Sequence, residues 1–305
     1  GVKEIHHGAA VIAMGASEYT PTEYGYGENE QVVTQVELGE RIAKGDETVT
    51  NAQSVVMIQC VGCRNEERDY CSRVCCSHAI KNALKLKELK PEMDIYVLYR
   101  DMRTYGLMED AYREASEREG RFIRWEPEAP PEVEAVEEGG RKVLRVSARD
   151  PILGVDLAID ADVLTLSAAA VAPEGREEIA QEFKVSLGPD DFFKEAHVKL
   201  RPVEFSTEGV FLCGMAHYPK HIPEAINQAY GAAGRVLALL SHDVVTASGS
   251  VCEVDEKRCM GCGACVEACT YGAIEFRETK QGRKAVVNPV ICKGDGLRNA
   301  KCPTG

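Results

Sequence analysis

The sequence predicts an α/β body followed by a small α+β domain, and three observations support this expectation. Short apolar strands alternate with segments of helical periodicity through most of the chain. Two of those strands end in glycine, the residue that lets a backbone turn sharply or approach another group closely. The region after residue 250 instead carries closely spaced cysteines, which indicates a separate small domain.

The first elements are a strand and a strand–helix–strand unit. Residues 6–14 predict a strand that leads into Gly15 and then a polar, tyrosine-rich loop. Residues 54–59 and 94–99 predict two further strands, and residues 77–89 between them have helical periodicity. This order predicts a βαβ unit with a cysteine-rich loop between its first strand and its helix.

The remaining elements continue the α/β pattern. They are a helix at 108–119, a hairpin formed by residues 142–148 and 155–158, buried strands at 163–167 and 209–214, and a helix at 223–240.

Composition disfavours several classes of function. The chain has 44% hydrophobic and 28% charged residues and a formal net charge of −13. No apolar run approaches the ~20 residues of a membrane-spanning helix, so we expect no membrane span and a cytoplasmic protein. The acidic balance argues against a nucleic-acid partner, because phosphate binding relies on clustered lysine and arginine. The first segment resembles the interior of a domain, so we also expect the chain to be part of a longer polypeptide.

The chain contains 13 cysteines, and their number argues against a disulfide framework. The count is odd, no secretory signal precedes the cysteines, and 305 residues can bury a core without covalent staples. The run Cys259-x2-Cys262-x2-Cys265-x3-Cys269 has the spacing of a bacterial-ferredoxin iron–sulfur site. Structural zinc is the weaker alternative there, because zinc sites usually combine two separated C-x2-C pairs.

An earlier cysteine block, Cys60-x2-Cys63-x7-Cys71-x3-Cys75-Cys76, fits no common ligand pattern. The adjacent pair at its end is hard to explain by packing alone. From the residues themselves an iron–sulfur cluster, structural zinc and inert buried thiols all remain open, with the cluster favoured.

The C-terminal region contains an internal repeat that has lost two thiols. Aligning the two runs pairs Cys262 with Asp295 and Cys265 with Arg298. Arginine cannot ligate iron, so the sequence predicts a degenerate second cubane site. In two-cluster ferredoxins the fourth cysteine of each run ligates the other cluster. The expected ligands of the surviving cluster are therefore Cys259, Cys262, Cys265 and Cys302, while a possible second site retains Cys269 and Cys292.

The two glycine-ended strands, residues 10–15 and 209–214, resemble FAD-contacting motifs of disulfide-reductase flavoproteins. Their flavin contacts would include Gly15 and Ala16 at the first strand and Gly214 and Met215 at the second. No G-x-G-x-x-G occurs in the chain, so the FAD pyrophosphate loop lies outside it or is absent. The βαβ unit carries cysteines where a nicotinamide-binding domain carries glycines, which disfavours NAD(P)H as the direct electron donor.

Several longer strings are similar to one family, the flavoprotein/iron–sulfur subunit of heterodisulfide reductase. They are Ile58-Gln-Cys-Val-Gly, Tyr70-Cys-Ser-Arg-Val-Cys-Cys, Ala79-Ile-Lys-Asn-Ala, Leu98-Tyr-Arg-Asp-Met-Arg and Pro219-Lys-His-Ile-Pro-Glu. The resemblance covers the whole chain, corresponds to the C-terminal part of that subunit, and extends to related subunits of quinone-linked and benzoyl-CoA-reducing complexes.

The resemblance implies a thioredoxin-reductase-like flavoprotein fold whose first FAD-binding Rossmann segment is missing, followed by a small α+β ferredoxin-like domain. It implies part of a FAD-binding domain at residues 1–50 and an inserted NADH-domain-like unit with a cysteine site at 51–162. The remainder of the FAD domain would occupy 163–243, and the ferredoxin-like domain 244–305.

The resemblance further implies FAD and at least two [4Fe–4S] clusters. The first cluster would be held by Cys60, Cys71, Cys75 and Cys76, which leaves Cys63 as the spare thiol. Lys81 matches the family's lysine beside flavin N5 and would tune the flavin's one-electron steps. A solvated helix lysine is the alternative interpretation, since most lysines are exposed. His221 and Ile222, in the last of the matching strings, are further expected flavin contacts.

The function implied is electron transfer with flavin-based electron bifurcation. A two-electron donor of the hydrogenase or formate dehydrogenase type would reduce FAD, and the electrons would leave singly toward a disulfide-reducing partner and ferredoxin. The implied partners are the other subunits of a heterodisulfide-reductase-like complex, with the chain forming a homodimer inside it. Two alternatives remain: a flavin-free iron–sulfur relay or scaffold, and the homologous subunit of a quinone-interacting or benzoyl-CoA reductase complex.

The crossover ligation yields a prediction for the C-terminal cluster. Cys302→Ala should destabilise the cluster because it removes the fourth ligand, whereas Cys269→Ala should leave it bound because the site that Cys269 would serve has lost two thiols. Iron content and visible absorbance of the two variants measure the difference. Loss of the cluster in the Cys269 variant would contradict the crossover.

Overall fold

The computed structural model describes residues 4–138, 140–244, 250–280 and 282–304. The chain divides into two compact units. The first, which we call the sheet unit, consists of Ser17–Val171 and Pro219–His221. The second, the split unit, combines Gly1–Ala16, Ala172–Tyr218 and Ile222–Gly305. The four expected domain borders remain predictions, and residues 245–249, at the start of the expected C-terminal domain, lie outside the described residues.

The strands, in chain order, are β1 (Ala10–Ile12), β2 (Ser17–Glu18), β3 (Val32–Thr34), β4 (Ser54–Val61), β5 (Asp94–Tyr99), β6 (Arg121–Arg124), β7 (Glu132–Glu138), β8 (Arg141–Asp150), β9 (Val155–Ala161), β10 (Val163–Ala168), β11 (Ala170–Val171), β12 (Val210–Leu212), β13 (Ile274–Thr279) and β14 (Gly282–Val287).

The helices are α1 (Gln35–Lys44), α2 (Glu47–Thr50), α3 (Cys75–Leu89), α4 (Met108–Glu117), α5 (Arg176–Phe183), α6 (Ile222–Leu240), α7 (Ala264–Ala268) and α8 (Leu297–Lys301). A 3-10 turn follows β12 at Gly214–Ala216. Among the described residues, no helix is both long and apolar enough to cross a membrane.

A parallel five-stranded sheet, in the order β3-β10-β4-β5-β6, forms the centre of the sheet unit. Its central strands are nearly continuous apolar runs, as expected for parallel strands that are covered on both faces. On one face α1 and α3 pack against side chains such as Met57 and Ile95. On the other face Ile58 and Leu164 pack against strands β8 and β9 of an antiparallel sheet ordered β7-β8-β9.

The predicted βαβ unit is confirmed as β4, α3 and β5, with α3 beginning two residues earlier than expected, at Cys75. The predicted hairpin is also confirmed, as β8 and β9. Among the elements that were not predicted are β7, which pairs with β8, and α1. Helix α1 begins in a capping box, in which the Thr34 hydroxyl accepts a hydrogen bond from the Glu37 N–H and the Glu37 carboxylate accepts one from the Thr34 N–H.

The split unit contains a parallel pair of strands, β1 and β12, in which Ala10 lies opposite Val210. The strand predicted at residues 6–14 is therefore shorter than expected. Phe193, Phe205 and Leu212 are buried side chains of its core. The cysteine-rich region contributes the hairpin of β13 and β14 and the one-turn helices α7 and α8.

The sheet unit provides a test of its core. Leu164 is fully buried on β10, between β3 and β4, so Leu164→Ala should lower the free energy of unfolding by about 2–5 kcal/mol. Leu153→Ala is the control, because that side chain is 70% exposed and should change stability by no more than about 0.5 kcal/mol. Denaturant titration followed by circular dichroism measures both. Equal destabilisation would contradict the assignment of Leu164 to the core.

Candidate iron–sulfur and flavin sites

The first cysteine block forms a loop, residues 60–76, that joins the end of β4 to the start of α3. The loop lies at the carboxyl edge of the parallel sheet, the edge at which open α/β sheets generally bind their ligands. Its first cysteine, Cys60, is the last residue but one of β4, and its last pair, Cys75 and Cys76, begins the helix. The βαβ fold therefore brings the two ends of the cysteine block to the same edge.

The loop is held in a strained backbone conformation. Cys60, Arg64 and Arg73 have φ values of 66°, 57° and 62°, in the left-handed region that L-residues disfavour. Gly62 has φ 76°, and a Cβ atom there would lie 2.1 Å from the Tyr19 ring. Only glycine fits that position. Such strain persists where the surrounding structure enforces it, as the flanking β4 and α3 do here.

Four thiols of the block interact with one another. Cys63, Cys75 and Cys76 are buried, and Cys60 is half-buried. A hydrogen bond from Cys60 has the largest effect on the pKa of Cys63 and lowers it. Burial opposes this effect, but hydrogen bonds from Ser72 add to it, and the pKa lies well below its usual value. A hydrogen bond from Cys75 lowers the pKa of Cys76 in the same way. One thiol of each pair is thus easily ionised, which is the form that binds metals.

Cations lie beside these thiols. The Arg64 guanidinium is 3.8 Å from the Cys60 Sγ and also donates to the Asp101 carboxylate at 2.6 Å. A backbone hydrogen bond from Arg103 and the charge of that arginine both favour the Cys76 thiolate. Opposite charges at this distance favour the ionised form of a thiol. The loop can therefore hold several thiolates near one another.

Cys71, an expected ligand, is half-buried in the same loop, and its Sγ accepts a hydrogen bond of 3.3 Å from the Arg73 N–H. The Arg73 side chain donates to the Tyr105 hydroxyl at 2.5 Å and to the Pro219 carbonyl at 3.2 Å. The His221 ring packs edge-on against Tyr105 at 5.4 Å. Arg73 thus fastens the segment that contains His221 to the cysteine loop.

The expected flavin residues are distributed over both units. Gly15, Ala16, Gly214 and Met215 belong to the split unit with Ile222, whereas Lys81 and His221 belong to the sheet unit. Lys81 is exposed on α3. Gly15 and Gly214 have φ values of 78° and 71°, and, apart from their chain neighbours, no atom of the described residues lies within 4 Å of the position of a Cβ on either. The space beside both glycines would admit a ligand, but the role of these residues stays a prediction.

A polar chain that sequence reasoning missed supports the Gly214 loop. The Gly214 N–H donates to the Gln228 side-chain oxygen at 2.9 Å, and the Gln228 amide nitrogen lies 2.7 Å from His217 Nδ1. His217 Nε2 in turn lies 2.9 Å from the Glu195 carboxylate. Burial alone would raise the pKa of Glu195, but a backbone N–H and the His217 ring hold it below its usual value. These long-range contacts have no local sequence signal.

The four expected ligands of the C-terminal cluster line one cavity of about 70 Å³; they are Cys259, Cys262, Cys265 and Cys302. Glycines shape the loop between the first two. Gly261 has φ 68°, and a Cβ there would lie 2.3 Å from the Arg283 carbonyl oxygen. The Lys284 ammonium donates to the Cys259 carbonyl at 2.6 Å and fixes the start of the loop on β14. This four-thiol donor set fits a cubane cluster.

The second position of the repeat contains a different set of side chains. Cys269 and Cys292 line a separate, smaller cavity together with Asp295, Arg298 and Cys252, a cysteine that lies outside both runs of the repeat. The Cys292 Sγ accepts a hydrogen bond of 3.3 Å from the Cys252 N–H. Two thiol positions of a complete cubane site are thus occupied by a carboxylate and a guanidinium. This set does not fit a second [4Fe–4S] cluster.

Among the described residues, no three side chains of histidine, cysteine, aspartate or glutamate converge on a point that a single metal ion could occupy. Structural zinc requires four ligands about 2.3 Å from one ion. A cubane is larger, and each of its thiolates binds a different iron, so thiols around a cavity are the arrangement it requires.

Comparisons with solved structures identify the fold of the body. A sulfide:quinone oxidoreductase from Aquifex aeolicus is similar with a TM-score of 0.50 and 17% identity, over 78% of this chain and 56% of that chain. A thioredoxin reductase from Lactococcus lactis gives a TM-score of 0.49 and 15% identity, over 76% and 66%. The expected α/β fold of the thioredoxin-reductase-like type is confirmed, with a ferredoxin-like region at its C-terminus.

Sequence comparisons identify the relatives. Residues 258–305 match the family described as 4Fe-4S dicluster domain. An iron-sulfur subunit of the CoB–CoM heterodisulfide reductase of Methanopyrus kandleri is 39% identical in an alignment 293 residues long that covers 90% of this chain and 44% of that protein. The corresponding subunit of the H(2):CoB-CoM heterodisulfide,ferredoxin reductase of Methanothermobacter thermautotrophicus is 37% identical over 90% of this chain and 43% of that protein.

The chain spans less than half the length of these curated relatives. The alignments nevertheless extend over 90% of its own length. It is therefore a homologue of the iron–sulfur oxidoreductase subunit of heterodisulfide reductase, as its sequence motifs indicated.

Proposed function

We propose that the chain is the FAD- and iron–sulfur-dependent electron-transfer part of a heterodisulfide-reductase-like complex. The observation that carries this proposal is the assembly of thiols at the carboxyl edge of the parallel sheet, where Cys60, Cys63 and Cys76 interact beside Arg64. Related flavoproteins use that edge for a ligand. Here the loop offers thiolates and a cation instead of glycines.

The proposed cluster site in this loop rests on charge and burial. Buried thiolates bind iron only where nearby groups offset their negative charge, and Arg64 and Arg103 lie in position to do so. The cluster would supply one-electron transfer at this edge of the sheet. The chain's own residues would hold it and, through the two arginines, favour its reduced state.

FAD is proposed at the Gly15 and Gly214 loops. Both glycines have left-handed backbone and open space beside them, and the chain of Gln228, His217 and Glu195 fixes the Gly214 N–H. When bound, FAD would supply the exchange between two-electron and one-electron transfer. Lys81 would place a positive charge near the flavin ring, and His221 would be held in place through Tyr105 and Arg73.

Flavin-based electron bifurcation is the reaction that we propose for the complete complex. The relative from Methanothermobacter thermautotrophicus is named an H(2):CoB-CoM heterodisulfide,ferredoxin reductase, and one from Methanococcus maripaludis has H(2)/formate in its name. By analogy, a donor of the hydrogenase or formate dehydrogenase type would supply electrons to this chain. Ferredoxin and a disulfide-reducing partner would receive them.

A flavin-free relay is the second candidate, and one observation favours it. The sequence contains no G-x-G-x-x-G, the motif that binds the FAD pyrophosphate. If the chain acts without a segment that provides this motif, electrons would pass through its clusters alone.

The identity of the ligands in the first site can be tested with a matched pair of variants. Cys71→Ser should lose the cluster of the sheet unit, because Cys71 is an expected ligand, and Cys63→Ser should retain it, because Cys63 is the spare thiol. Iron and zinc counted per chain, with anomalous scattering at both edges, measure the outcome. Retention in Cys71→Ser and loss in Cys63→Ser would show that Cys63 is the fourth ligand, and a zinc signal would reject the cluster.

The flavin proposal is tested with the purified full chain. Flavin counted per chain, with absorbance near ~450 nm, should show bound FAD. Lys81→Ala should then shift the one-electron potentials of the flavin without releasing it, because a positive charge near the ring is lost. Lys85→Ala is the control: it lies on the same helix, but its ammonium pairs with Glu88 at 2.8 Å, so no shift is expected.

If the flavin potentials shift equally in the two lysine variants, Lys81 is a solvated helix lysine with no specific effect on the flavin. A chain that binds iron but no flavin would support the relay function instead.

A further inference from the structure

Arg298 is a partly buried cation at a position where the repeat predicts a cluster ligand. It lies in the turn of α8 and aligns with Cys265 of the first run. Its Nη2 donates to the Glu253 carbonyl at 2.7 Å. Its Nη1 is buried and has no hydrogen-bond partner among the described residues. A buried donor without an acceptor is costly, and in a native protein such a donor calls for an explanation, of which a bound ion or a redox role are two.

The missing acceptor can be identified from the surroundings of the guanidinium. Arg298 lines the cavity that contains all four expected ligands of the C-terminal cluster. It also lines the smaller second cavity. The guanidinium therefore borders the space that the four thiols surround.

Among the described residues, the second cavity provides no comparable acceptor for the Arg298 Nη1 donor. The Asp295 side chain is exposed and accepts a hydrogen bond of 3.1 Å from the Leu297 N–H. The Cys269 and Cys292 sulfurs accept backbone hydrogen bonds of 3.3 Å each, from Ala273 and Cys252. Because Arg298 lines this cavity together with the two thiols, we do not expect this chain to hold the second cluster that the description of the matching family, 4Fe-4S dicluster domain, implies.

We propose that Arg298 replaces the second cluster of this domain, and that it directs its buried Nη1 and its charge at the single cluster of Cys259, Cys262, Cys265 and Cys302, thereby raising its reduction potential. The proposal rests on the cluster site of the proposed function. Reduction adds one electron to the cluster, with no bond made and no proton taken up. A fixed positive charge stabilises that added negative charge, and more strongly so away from water.

A redox titration monitored by electron paramagnetic resonance tests the proposal on the full chain. Cys262→Ser, which should lose about four irons, identifies the signal of the C-terminal cluster by difference. Arg298→Gln should keep that signal and its iron but shift its midpoint to a more negative potential. Arg277→Gln is the matched control: it removes the same charge from the same region, but the Arg277 side chain is 58% exposed and paired with Glu256, so no shift is expected.

Arg298→Lys separates charge from structural support, because lysine keeps the charge without the planar group that reaches the Glu253 carbonyl. Its midpoint should lie nearer to wild type than that of Arg298→Gln. If Arg298→Gln loses iron, its midpoint potential cannot be measured and Arg298→Lys becomes the test. A wild-type midpoint potential in Arg298→Lys would then support the proposal that the positive charge sets the potential.

Three results would overturn the inference. They are an unchanged midpoint in Arg298→Gln with its iron intact, a low midpoint in Arg298→Lys, and a second cluster signal coupled to the first in the wild-type chain. If the proposed function itself is wrong, the result differs from these three. The wild-type chain would then show no electron paramagnetic resonance signal of a C-terminal cluster for Cys262→Ser to remove.

Discussion

Mutual repulsion of thiolates is the constraint on which both cysteine sites of this chain depend. Thiolates that share a small, partly buried space can coexist only where nearby donors and cations offset their charge. In the sheet unit this task falls to Arg64, 3.8 Å from the Cys60 sulfur, and to the Arg73 N–H, 3.3 Å from the Cys71 sulfur. In the C-terminal region it falls to Arg298, which lines both cavities. The arginines are therefore as much a part of these sites as the cysteines.

The parallel sheet makes the strained cysteine loop possible. Residues in left-handed backbone cost free energy of the order of 1–2 kcal/mol each, and three non-glycine residues of the loop adopt it. Both ends of the loop are fixed, one to the buried strand β4 and the other to α3, whose Ala79, Ala83 and Leu86 pack into the core. Burial of those anchors acts against the local strain. The hydrogen bond from Arg73 to the Pro219 carbonyl fixes the segment of Pro219 and His221, which is far away in sequence, to this loop.

Periodicity and cysteine spacing predicted the βαβ unit, the hairpin and the thiols that surround the C-terminal cavity, because these features are local. Other elements were not predicted from the sequence, and the reasons can be identified. Strand β7 alternates glutamate with small apolar residues and has little hydrophobic signal of its own, so only its pairing with β8 defines it. Helix α1 had a readable signal, the Thr34 to Glu37 capping box, that periodicity alone overlooked. The contact of Cys252 with Cys292, and the chain from Gly214 to Glu195, depend on tertiary folding and leave no local pattern.

The two cysteine sites differ in what holds their loops together. The sheet unit has an extensive core, so its cysteine loop would retain much of its shape from packing alone. In the described part of the chain from residue 250 onward, the buried hydrophobic side chains are Ala273, Ile274 and Ala285. So small a core cannot offset the conformational entropy of the loops around it, and small domains of this kind commonly depend on metal–ligand bonds for folding. In that setting, if Arg298 replaces the second cluster as proposed, the exchange of two ligands for Asp295 and Arg298 would remove structural bonds as well as an electron carrier. The hydrogen bonds of Arg298 with the Glu253 carbonyl and of the Cys252 N–H with Cys292 would then supply part of the cross-linking of the second half of the repeat, which has the same turn-and-helix form as the first.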